Sequence, residues 1–110
     1  MTIPNKIIDE IRDLIAALST WDFSTIAQKN WQGRTVTADL KRVMLEYGGT
    51  FTPPPDNFFD YAECYDLEGG AGCLIEVPLW TIEAGKSDLV ITIDFDNKSK
   101  SVCINDLRVP

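Results

Sequence analysis

The hydrophobic period of this chain changes once, at Gly48-Gly49. Before that pair, apolar residues recur with the spacing of one helical face; beyond it they alternate every second position. Helical and strand periods that are segregated along the chain, not interleaved, restrict the fold to the α+β class, with helices on one face of an antiparallel sheet. A length of 110 residues fits one domain, with no internal repeat and no linker long enough to divide the chain.

The first helix is predicted over Asn5 to Ser19. Ile7, Ile8, Ile11, Leu14, Ile15 and Leu18 share one face, and Asp9, Glu10, Arg12 and Asp13 fill the other. Pro4 suits its first turn, where no intrahelical bond is lost. Asp22 is placed to cap a second, short helix through about Lys29, with Phe23, Ile26 and Ala27 turned inward. Thr37 is expected to cap a third, in which Leu40, Val43, Met44 and Tyr47 share a face. Gly48-Gly49 closes it, because glycine adopts the left-handed conformation without steric cost.

Thr52-Pro53-Pro54-Pro55-Asp56 then forms a stiff connector. Four strands are predicted, over about Phe58–Leu67, Cys73–Ile82, Asp88–Asp94 and Ser101–Val109. The links between them are too short for anything but antiparallel neighbours, so the strands make a four-stranded meander. Cys73, Ile75, Val77 and Leu79 form one inward set, and Leu89, Ile91, Ile93 and Phe95 another. Pro78 is anomalous inside a strand and belongs at an edge or a bulge.

Charge narrows the function. Seventeen acids against ten bases give a net charge of −7, which argues against nucleic acid as a partner. No Lys or Arg occurs between Val43 and Gly85, while Glu46, Asp56, Asp60, Glu63, Asp66, Glu68, Glu76 and Glu83 do; this segment carries −8. No apolar run approaches the roughly 20 residues of a membrane span. Charged residues from Asp9 to Asp13 interrupt any secretory signal, so a cytoplasmic location is expected. Three cysteines without a CxxC pair read as reduced thiols. Without any histidine, no catalytic residue, metal site or cofactor is expected.

Two motifs are weighed and set aside. Asp94-Phe95-Asp96-Asn97 opens like a calcium loop, but Ser99 and Asn105 stand where a glycine and a glutamate are needed. Asp60, Glu63 and Asp66 do not form a close carboxylate pair on a strand, where Glu63 points away from the other two. More telling is Phe58-Phe59-Asp60-Tyr61-Ala62-Glu63-Cys64-Tyr65-Asp66-Leu67-Glu68, which mixes aromatics and acids on both faces. Such a surface suits docking, through aromatic contacts and charge-assisted bonds to basic side chains. Trp80 shares a face with Glu76 and Pro78 and is expected to be partly exposed.

Helix, short helix, helix and meander in this order resemble the cystatin-like, nuclear-transport-factor-like α+β fold, with Leu18-Ser19-Thr20-Trp21-Asp22-Phe23-Ser24 similar to its helix junction. Val77-Pro78-Leu79-Trp80-Thr81, Gly85-Lys86-Ser87-Asp88-Leu89-Val90-Ile91 and Ile104-Asn105-Asp106-Leu107-Arg108-Val109 look like a small family of bacterial domains. Proteins of this size and acidity include immunity proteins, so the resemblance implies a non-enzymatic inhibitor of a cationic toxin domain, such as a nuclease. The residues expected to bind that basic partner are Asp56, Asp60, Tyr61, Glu63, Tyr65, Asp66, Glu68, Glu76 and Trp80. An alternative is a small-molecule or enzymatic pocket between helices and sheet, lined by Trp80, Tyr61 or Tyr65. Homodimerisation through the sheet is a third reading.

Overall fold

The computed structural model describes residues 1–110. Three helices, α1 (Asn5–Ser19), α2 (Phe23–Gln28) and α3 (Thr37–Tyr47), precede a curled antiparallel sheet. The α1 bounds are those predicted, and Ile7, Ile11, Leu14, Ile15 and Leu18 are buried. Asp22 caps α2 by accepting the Thr25 N–H at 3.1 Å and the Thr25 hydroxyl at 2.7 Å, and these bonds hold its carboxyl below the usual range. Thr37 does not cap α3. It is the first helical residue, and Val36 occupies the cap position without a side-chain bond.

The strands are β1 (Phe51–Thr52), β2 (Glu63–Asp66), β3 (Gly72–Thr81), β4 (Gly85–Asp96) and β5 (Ser101–Arg108). The order is β1-β3-β4-β5, and β2 also pairs with β3. One edge of β3 thus carries two short strands end to end: β1 against Trp80 and Thr81, β2 against Cys73 to Glu76. The meander is as predicted; the single strand over Phe58–Leu67 is not. Its first half is a 3₁₀ turn, Phe58–Tyr61, opened by the Phe58 N–H on the Pro55 carbonyl at 3.0 Å. The turn places the Phe58 ring in the core, fully buried and edge-on to Phe59. The alternation read across Asp60 and Tyr61 therefore does not exist.

Pro78 falls in the stretch of β3 left unpaired on that edge, between the Glu76 partner of β2 and the Trp80 partner of β1. Its missing N–H costs no bond there. Directly beyond it the β3–β4 register shifts, so that Pro78 faces Val90 but Trp80 faces Lys86. The extra β4 residues are held locally, with the Leu89 N–H donating to the Ser87 hydroxyl at 3.1 Å.

The helices cover one face of the sheet. Cys73, Ile75, Val77 and Leu79 of β3, Leu89, Ile91, Ile93 and Phe95 of β4, and Val102, Ile104 and Leu107 of β5 meet the helical stripes in a single core of 25 buried residues. At the start of β3, Gly72 has φ +153°, and a Cβ there would run into the Phe95 carbonyl oxygen.

Candidate protein-binding face

The opposite face of the sheet has no helix over it. Antiparallel partners share a face, so register alone specifies what this one presents. One row reads Glu63, Glu76, Thr92, Asp106; the next reads Tyr65, Leu74, Asp94, Cys103. Pro78, Val90 and Arg108 make a third, and Trp80 faces Lys86 beyond them. By the same alternation Asp96 also lies on this side. Asp88 does too, between Lys86 and Val90, so six carboxylates share the face with two cations, Lys86 and Arg108.

Glu63 and Glu76 are directly opposed across β2 and β3, an arrangement that is repulsive unless a cation intervenes. Arg108 supplies part of one, reaching Glu76 at 3.5 Å and Asp106 at 3.4 Å. Both contacts are long and solvent-exposed, so they neutralise the row only weakly. Thr92 sits in register between the two carboxylates, its hydroxyl buried and without a partner. Glu63 has no cation; it accepts the Tyr65 hydroxyl at 2.5 Å.

That bond is the first cause of a Tyr65 pKa pushed up to about 12, with burial and the charges of Glu63 and Glu76 adding to it. Tyr65 is neutral in the fold. Its contribution to stability is complete below pH 10 and is lost as pH rises towards about 12. Ultraviolet titration of the tyrosines is expected to show one ionising near 12, and Glu63→Gln is expected to return it towards 10; a Tyr65 that titrates normally in the unsubstituted protein contradicts the contact.

The remaining expected site residues divide. Asp56 and Asp60 are exposed without a cation, as is Glu68 in the turn Glu68–Gly70. Asp66 lies on the other side of β2, where its carboxylate binds the Met1 amine at 3.0 Å. Tyr61 is half-exposed and stands edge-on to Trp80 at 5.7 Å, with the Lys86 ammonium 5.7 Å from its ring centre. Trp80, expected to be partly exposed, is only 9% exposed, because the 3₁₀ turn brings Tyr61 over it. It supports Tyr61 and is not itself a free contact. Of the eight acids in the cation-free segment, only Glu46, Asp66 and Glu76 pair with a positive group.

The space between helices and sheet, where the alternative reading put a pocket, is occupied by the core; Trp80 belongs to that core, while Tyr61 and Tyr65 are half-exposed outside it. An open groove of about 590 Å³ runs along the uncovered face instead, lined by Tyr61, Glu63, Glu76, Pro78 and Lys86 among others. Burial pushes the Cys64, Cys73 and Cys103 thiols up, so none is poised as a thiolate. No group of three or more His, Cys, Asp or Glu is placed to hold a metal ion. No helix is long and apolar enough to cross a membrane.

Besides Asp88 and Asp96, sequence reasoning missed Asp94 and Asp106 on this face. Asp94 was legible from its place between Ile93 and Phe95. Asp106 was hidden by an irregularity, because the β4–β5 register shifts between Thr92 and Ile93 and leaves Asn105 without an opposite residue. Strict alternation from Ile104 would have put Asp106 in the core.

The charge divides between the layers of the fold. Residues 1–47, which include all three helices, hold six acids and six bases. Residues 48–110 hold eleven acids and four bases. The net −7 belongs wholly to the sheet half.

A family model described as a domain of unknown function, DUF7668, matches residues 15–110. The chain belongs to that family. The match takes in every strand of the DUF7668 domain and the whole acidic segment, and it begins inside α1. No curated protein and no solved structure matches the chain.

Proposed function

We propose that this DUF7668 domain is a non-enzymatic binding protein that offers the uncovered face of its sheet to a basic protein. The observation that carries this reading is the confinement of the entire net charge to the sheet half, beside a neutral helical half. A one-sided field of this kind orients a cationic partner during approach and speeds association. Tyr61 and Tyr65, half-exposed beside Glu63, add apolar contact area where basic side chains would dock. Among basic partners, the catalytic domain of a toxin fits best, and a nuclease in particular, since its cleft must be positive to hold phosphates. The small size and acidity of the chain are what favour an immunity role among binding roles.

The test starts by capturing basic proteins from the source cells on the immobilised domain and purifying the one retained. Its affinity is then measured at about 50 mM and about 500 mM salt, where the screening length differs about threefold. At least tenfold weaker binding in high salt is expected. Affinity that does not respond to salt overturns the reading.

A further inference from the structure

All four β2 residues, Glu63 to Asp66, are exposed, and β2 pairs only with β3, so its other side is an open sheet edge. The Leu67 N–H donates to the Gly72 carbonyl at 2.9 Å, which sets the phase of this ladder. Residues that exchange bonds with β3 therefore alternate back from Leu67 to Tyr65 and Glu63. The N–H and C=O groups of Cys64 and Asp66 point the other way, away from the sheet. An edge four residues long with two free donor–acceptor pairs is a template for another strand.

Charge decides what that strand is. Two copies of this chain would bring two −8 segments together, which opposes self-pairing. A basic strand meets Glu63 instead, with Glu76 directly behind it and no cation on Glu63. We propose that the partner docks by adding an extended, lysine- or arginine-bearing segment to the free edge of β2, antiparallel, with its basic side chains over the uncovered face. This rests on the binding role proposed above and specifies how the main chain takes part. The geometry also assigns the register. Residues opposite Glu63 and Tyr65 carry the basic side chains and make no bonds to β2, while the alternate residues, opposite Cys64 and Asp66, make the main-chain bonds.

The probe is a capped eight-residue peptide of alternating lysine and valine, titrated against the full chain. N-methylation of its valines removes the bonding N–H groups and is expected to weaken binding at least tenfold. N-methylation of its lysines, which alters groups facing away, is expected to leave binding within about threefold. On the protein side, Cys64→Pro deletes an N–H that β3 does not use, so the domain is expected to fold and to bind the parent peptide at least tenfold more weakly. A parent peptide that does not bind, or any methylation pattern other than this one, overturns strand addition. Peptide binding that ignores methylation and Cys64→Pro alike also overturns it, and leaves the proposed function to its own salt test.

Discussion

Gly72→Ala is expected to lower the stability of the domain by about 3 kcal/mol or more, a large part of what a domain of this size has. Gly72 opens β3 opposite Asp96, at φ +153°, where an L side chain is strained whatever the space. There is no space either. The atom it would meet is the backbone carbonyl of Phe95, which cannot rotate away like the end of a side chain, and the Asn97 N–H nitrogen is 3.2 Å off. Relief requires β3 and β4 to separate where the sheet core is anchored by Cys73 and Phe95, both buried. Urea unfolding checks this by a lower midpoint at unchanged slope. A loss below about 1 kcal/mol would show that the hairpin relaxes freely at Gly72 and that the close approach is unimportant.

How much of this was legible beforehand follows from which residues obey a simple period. The α1 stripe from Ile7 to Leu18 and the inward sets of β3 and β4 do, and the helices, the meander and most of the core followed from them. Failures occur where tertiary burial overrides the local pattern. Phe58 is drawn fully into the core and turns its neighbours into a 3₁₀ turn. That turn covers Trp80 with Tyr61, and the interruption it makes in the sheet edge accommodates Pro78. β1 is only two residues long, too short for any periodicity to reveal. Trp21 is another departure. It takes the left-handed conformation (φ 60°) that closes α1, with its own N–H on the Leu18 carbonyl and that of Asp22 on the Ala17 carbonyl, a place where glycine is usual. Its ring lies against Phe23 and Phe51 while 40% of the residue stays exposed.

The candidate face was legible in charge but not in shape. The absence of bases from Val43 to Gly85 pointed to the sheet half of the molecule, where the net charge lies. It did not separate Glu63 and Glu76, which share the uncovered face, from Asp66, which is turned to the other side and engaged by the Met1 amine. Nor did it bring in Asp94, whose strand supplies carboxylates to the same face from outside the segment.

The central claim, that carboxylates on the uncovered sheet face and its edge meet a positive partner, is tested most directly by reversing those that no internal cation holds. Asp60, Glu63 and Asp94 have no ion-pair partner within the chain, so their replacement by lysine breaks no salt bridge. Glu63 gives up only the bond from the exposed Tyr65 hydroxyl. The measurement is the affinity of the Asp60→Lys, Glu63→Lys, Asp94→Lys protein for the purified basic partner, with the thermal midpoint recorded alongside. Three reversals change the local charge by six, and binding is expected to weaken about 100-fold or more while the midpoint stays within a few degrees. A folded triple variant that binds its partner as tightly as the parent would contradict the account.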